Sequence, residues 1–420
     1  MKRILITFWL LTFACLSLVR AQQLDEMIAD AISNNLQIRA LENEYLAAYE
    51  RAPQVGQIPD PEIGVGGFLL PVETRLGTQG VRLSGTQMIP WPGLLENKRQ
   101  LENAKARALQ ERVRARELEI AFDVKRNYFK LYLIQEREDI LIRNIEILMA
   151  LEKMALAKVE SGKALASDAI TVQIRIAELE KELLVLEKAE VTPRVNLNQL
   201  LNRDLNTPCV ISDTLVFAVL PYVKDSILSQ VSQFHPQMRV FELQQEVSRQ
   251  AMEVNALSGR PDLGVGVDYI TVSRRSDADP VNNGRDILQL RASVSIPIFR
   301  EKYAAKNREE HFRIEALENQ RRDAISRFTA AIETAYADHE TARLDFELLL
   351  DQIELTNAAL RILKEDFSVN GQNFDELLRL ETALVNYQFK MYEAVVRSHI
   401  ALSAIERFIP NSNKINYEDQ

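Results

Sequence analysis

Cysteine is nearly missing from this 420-residue chain, which has only Cys15 and Cys209. Cys15 lies in an apolar N-terminal stretch, so Cys209 alone remains beyond it and no intrachain disulfide can staple the body. Proline and glycine number 14 each, too few for collagen-like or low-complexity classes. After the N-terminus no segment approaches the ~18–20 consecutive apolar residues that a spanning helix needs. Positive charge is not concentrated either. The 51 Lys and Arg are outnumbered by 60 Asp and Glu with no basic tract, which argues against nucleic acid as a partner. Four scattered histidines without ligand spacing suggest no metal site. With 26% charged and 46% hydrophobic residues, the chain is neither a disordered polymer nor a polytopic helical membrane protein.

Residues 1–21 read as a secretory signal: Lys2 and Arg3 precede the apolar Ile4–Leu18, and Val19-Arg20-Ala21 marks a cleavage region. Cleavage would take the formal charge from −9 to −12. A lipoprotein signal wants a branched aliphatic residue three positions before its cysteine. Thr12-Phe13-Ala14 precedes Cys15 instead, so cleavage is expected over lipidation at Cys15.

Every proline lies in 53–92, in 193–297 or at 410. Each intervening proline-free block holds one central glycine, Gly162 or Gly371. Helix interiors exclude proline and disfavour glycine, so each block predicts two long helices meeting at a glycine turn. The first arms, Pro92 to Gly162 and Pro297 to Gly371, span 70 and 74 positions, or roughly 100 Å of helix. Apolar spacing supports this. Phe328, Ile332, Ala335, His339, Ala342, Phe346 and Leu349 alternate steps of four and three, a pattern that continues to Phe367 and resumes from Leu377 to Phe408. Ala169, Val172, Ile176, Leu179, Leu183 and Leu186 repeat it. A sustained 3.5-residue period means coiled-coil packing.

The halves match. Leu36–Arg39 and Pro236–Arg239 stand 200 apart, as do Ile63–Gly66 and Leu263–Gly266. The chain is therefore read as a signal at 1–21, a repeat at 22–209, a second at 210–410 and a tail at 411–420. Each repeat holds a short helix, two extended segments and a long hairpin. The extended segments, near 62–70, 80–89, 263–269 and 288–296, alternate apolar and polar residues. A water-exposed hairpin would alternate identically. Four strands suit a bilayer in length but cannot close a barrel, which needs at least about eight. Three chains would supply twelve. The polar loops 71–79 and 274–285 would then cap the outer face.

Taken together, these features resemble the TolC-like outer-membrane efflux channels over about residues 24–409. The carriers are the duplicated architecture, the junctions Gln87-Met88-Ile89-Pro90-Trp91-Pro92-Gly93 and Ser295-Ile296-Pro297-Ile298-Phe299, and the turns Glu160-Ser161-Gly162-Lys163 and Val369-Asn370-Gly371-Gln372. Pro59-Asp60-Pro61-Glu62 and the Pro-Trp-Pro-Gly turn look like the heavy-metal and cation efflux branch. The resemblance implies a mainly α fold with a small β part, and a homotrimer whose outer-membrane β-barrel continues into a periplasmic α-helical barrel. It implies a passive duct served by a periplasmic adaptor and an inner-membrane pump, with no cofactor and no catalytic residue.

By the same resemblance, Gly162, Lys163, Gly371 and Gln372 form adaptor-docking turns, and Pro90, Trp91, Pro92 and Pro297 form the barrel–helix junction. Asp168, Glu376 and Arg379 become gate candidates, while Ser368 and Asn373 stand where some members carry Tyr and Arg links. Asp168 reads equally as a first-turn acid. Trp91 reads either as a lipid-interface residue or as a turn anchor. His339, in a heptad seam, reads as a packed core histidine. Gly64-x-Gly66 and Gly264-x-Gly266 read as close backbone packing rather than nucleotide loops. An exported coiled-coil interaction protein or adhesin without channel activity would explain the heptads but not the strand hairpins. An exported enzyme is disfavoured because no nucleophile–base or metal constellation stands out.

Overall fold

The computed structural model describes residues 22–70 and 72–409. The expected signal with Cys15 and the tail at 411–420 lie outside the described residues. Three short helices come first: α1 (Gln22–Asn34), α2 (Leu36–Tyr49) and α3 (Arg51–Val55). Strands β1 (Glu62–Gly67), β2 (Glu73–Thr74) and β3 (Gly77–Ile89) follow, then helices α4 (Leu94–Glu160) and α5 (Ala166–Leu200). A similar order returns as α6 (Lys224–Phe234), α7 (Pro236–Ser258), β4 (Asp262–Ser273), β5 (Ile287–Ser295), α8 (Glu301–Asn370) and α9 (Phe374–Glu406). The chain forms two compact units. Among the described residues, one gathers 22–40, 113–238 and 324–409; the other gathers 41–112 and 239–323. Each unit draws on both halves of the sequence.

In the first unit the heptad seams are the core. Ile332, Ala335, Ala342, Leu360, Phe367, Leu377, Ala394, Ala401 and Ile405 are buried, as are Ala169, Val172 and Leu179. Leu141, Leu148 and Leu151 of α4 join the latter group around Phe367 and Phe374. Each fully buried Leu or Phe contributes about 2 kcal/mol, enough along such helices to outweigh their many charged positions. His339 behaves as a packed histidine: it is buried, its Nε2 lies 2.7 Å from the Ala218 carbonyl oxygen, and its ring meets Phe217. Helix α5 does not stop at Pro193 but carries it inside, with its side chain buried. Packing there offsets a local break worth about 3 kcal/mol.

The repeat is visible in helix caps. Asn35 accepts from the amides of Gln37 at 3.0 Å and Ile38 at 3.4 Å, capping α2. Two hundred positions later, His235 Nδ1 accepts from the Gln237 amide at 3.1 Å at the start of α7, with Pro236 in the first-turn position that tolerates it.

The second unit holds an antiparallel sheet in the order β1-β3-β4-β5, with β2 paired only to β3. The expected 71–79 loop is shorter than it looked. β2 occupies Glu73–Thr74 and β3 begins at Gly77, because Gly77 at φ +132 lets the chain reverse directly into the strand. Register places Leu83, Tyr269 and Leu288 on one face, with Val267 opposite Leu290 and Leu263 opposite Val294. β1 and β5 form the two free edges of this open sheet.

Candidate functional site

The hairpin turns lie together within the first unit. Gly162 and Gly371 both take positive φ, +71 and +70, which L side chains rarely adopt. Their surroundings differ. Nothing lies within 4 Å of a Cβ built on Gly162, whereas one on Gly371 would sit 2.3 Å from the Lys163 carbonyl oxygen. Lys158 crosses from the last turn of α4 and donates to the carbonyls of Ser368, at 2.5 Å, and Val369. A cation there also favours the negative end of α8. Asp366 accepts from the side chains of Asn370 at 2.7 Å and Asn373 at 2.8 Å, holding Asn373 in its left-handed conformation at the start of α9. The two turns of one chain are thus tied to each other.

A cleft of about 620 Å³ opens beside them, lined by Gly162, Lys163, Asp168, Gly371, Asn373 and Glu376 among others. The Asp168 carboxylate accepts from the Leu165 amide at 3.2 Å, the first-turn role open in the sequence. Glu376 accepts from Arg379 Nε at 2.8 Å, and this bonding holds its carboxyl below the usual carboxylate range. Arg379 lines a neighbouring cleft with Arg175 and Glu178, while Gln372 is exposed at the turn. Lys158 and Asp366 were not legible as site residues. The only hint for Lys158 was a basic residue in the last turn of a helix.

At the strand-to-helix junction, the Trp91 amide donates to Asp262 Oδ1 at 3.1 Å and the Trp91 carbonyl accepts from Leu94. Its backbone anchors the turn, and its indole is exposed. Pro90 and Pro297 are half-buried, and Pro92 is exposed. Ile298 and Phe299 after the second junction are 70% and 77% exposed.

The sheet inverts the usual arrangement. Its apolar face is the open one, with Ile63, Val65, Leu288 and Leu290 71–83% exposed. Its polar face covers Asp268 completely, paired to Arg82 at 2.7 Å and approached by Arg291 at 4.0 Å. The glycine pairs make room mostly for side chains, not backbone. A Cβ on Gly264 would lie 2.3 Å from Ser293 Oγ, and one on Gly64 2.7 Å from Ser84 Oγ. Gly266 is the one that also meets backbone, at the Gly85 carbonyl.

Among the described residues, no helix is long and apolar enough to cross a membrane, and no cluster of three metal-ligating side chains occurs. No protein-family model and no curated protein matches the sequence. Solved structures do match. CusC, described in terms of transmembrane channel formation, is 15% identical with a TM-score of 0.73, over 92% of this chain and 92% of that one. The open Neisseria gonorrhoeae MtrE outer-membrane channel is 14% identical with a TM-score of 0.73, over 92% and 89%. The Vibrio cholerae outer-membrane protein VceC is 13% identical with a TM-score of 0.70, over 92% and 96%. The chain therefore has the fold of these outer-membrane channels, mainly helical with a small antiparallel sheet.

Proposed function

We propose that this chain is the outer-membrane duct of a tripartite efflux system, a passive path for solutes driven by an inner-membrane pump through a periplasmic adaptor. The observation that carries this reading is the inverted sheet. An apolar face left open in water is costly, about 25 cal/mol per Å², and a face that carries Arg82, Asp268 and Arg291 suits an aqueous bore. Lipid supplies the apolar contact and demands that no edge stay unpaired. β1 and β5 run in opposite directions in the alternating sheet, so copies can join edge to edge and keep every pairing antiparallel. Three copies give twelve strands, within the range of closed membrane barrels.

The helices support the same assembly. Leu344, Leu348, Leu355, Ile362 and Val369 of α8 are 56–71% exposed and stand four or seven residues apart. Ile170, Ile174, Leu184 and Val191 of α5 and Ile142, Met149 and Leu156 of α4 form further exposed rows in heptad phase. A second seam beside one already packed is what a helix needs to sit between two neighbours in a helical barrel. The paired turns and their cleft are then the periplasmic tip, with Gly162, Lys163, Gly371 and Gln372 facing the adaptor and Asp168, Glu376 and Arg379 at the gate. Reconstitution into planar bilayers tests the duct. Discrete conductance steps from the purified oligomer are expected, and intact oligomers that insert without conducting would refute it.

A further inference from the structure

A cleft of about 420 Å³ lies wholly within the unit that holds the sheet and shares no residue with the turns or the junction. Three helices build it. Gln100, Asn103, Arg107 and Gln110 of α4 line it, and their steps of three, four and three put them on one helix face. Tyr45 and Tyr49 of α2, one turn apart, line it as well. Their ring centroids are 6.4 Å apart and their planes differ by 48°. Buried Ala106 leaves room between them, and Gln250 of α7 completes the lining.

The chemistry of this lining is unusual for a chain so rich in acids. Among the described residues no carboxylate lines the cleft, and its one cation, Arg107, acts on the charge of Glu246 outside it. A charged solute would therefore meet no net opposite charge. Amides dominate instead. Gln100 Nε2 donates to Glu96 at 3.1 Å, which leaves the Gln100 oxygen to accept, and Gln250 Nε2 donates to Glu246 at 3.0 Å. Asn103, Gln110 and the two phenols are groups that both donate and accept. An apolar solute would leave these groups unpaired, at a cost for each.

A pyranose ring meets both demands. Its C–H face suits the electron-rich face of a phenol ring, and its rim of hydroxyls donates and accepts as the amides do. Two tilted phenols cannot lie flat on one sugar, but they can face successive units of a twisted chain. From Gln100 to Gln110 the helix rises about 15 Å, room for about three such units. We infer that the cleft binds a neutral oligosaccharide, laid along α4 with successive rings against Tyr45 and Tyr49. The site is built from a single chain, so the inference does not rest on the duct reading.

The test is calorimetric titration of the intact protein with maltotriose, cellotriose and glucose, with saturation-transfer NMR to report which sugar protons touch it. An amine-oxide detergent is used, since sugar-headed detergents would compete. At least one trisaccharide is expected to bind with a millimolar constant, and glucose at least about tenfold more weakly. Y45A/Y49A is expected to lower trisaccharide affinity at least about tenfold, while Y45F/Y49F, which keeps both ring faces, costs less. N103A/Q110A leaves the tyrosines in place and is expected to lower affinity at least about fivefold through lost hydrogen bonds. Circular dichroism checks that each variant keeps its helices; if the alanine pair on α2 does not fold, N103A/Q110A decides. Trisaccharides that fail to bind at about 10 mM, or affinity untouched by N103A/Q110A, would overturn the site. Glucose bound as tightly as the trisaccharides would overturn the arrangement of successive rings.

Discussion

Gly162 and Gly371 share a backbone conformation but not an environment, and that difference is measurable. Gly162→Ala meets open space and pays only for its left-handed φ, about 1 kcal/mol. Gly371→Ala adds a clash with the Lys163 carbonyl, so it should destabilise the turns more. Hydrogen exchange at residues 158–176 and 366–380 would read this as faster opening in the second variant; equal rates would show that the turns are not in close contact. The carboxylates proposed for the gate need a subtler change, because Asp168→Ala also removes a cap worth about 1 kcal/mol. Asp168→Asn with Glu376→Gln keeps hydrogen-bond acceptors while removing charge. This pair is expected to change single-channel conductance and weaken block by multivalent cations, with helix content unaltered. If both properties persist, the two acids are only helix-end charges.

Helix starts carry a second kind of prediction. His235 caps α7 while buried against Phe328 and Phe408. Burial, outweighing a hydrogen bond to the Arg407 backbone, lowers its imidazole to about 4. The unfolded chain, near the ordinary 6.5, therefore binds more protons between pH 6.5 and 4. Stability is intact above pH 6.5 and declines as pH falls toward 4, by on the order of 3 kcal/mol in all. His235→Asn borrows the Asn35 cap of the first repeat. It should flatten that slope in thermal unfolding followed by circular dichroism while retaining the helix start; an unchanged slope would place the titration elsewhere. These elements were largely legible beforehand. Prolines bound the helical hairpins, and the heptads of 328–367 and 377–408 named the seams that are buried. The tie between the turns was not legible, because Lys158 looks like one more solvated charge on a helix that carries many. Pro193 misleads for a related reason. A local break can be read from one residue, whereas the packing that overrides it depends on residues far away in sequence.

Assembly is where sequence and single-chain structure meet most directly. The alternation of β4 and β5 was plain in the sequence, yet it could not say which face meets water. In the structure Leu288 and Leu290 are open and Asp268 is covered, and it is the proposed duct that turns the open apolar face to lipid. Two free strand edges and several exposed heptad seams are what the proposed assembly would cover. The most direct test is the mass of the intact protein extracted from membranes in mild detergent, measured by native mass spectrometry. Three copies per particle are expected, and the trimer should persist at dilutions that dissociate adventitious complexes. A stable single copy that still inserts into bilayers and conducts would contradict closure by three sheets, and the duct would have to be built another way.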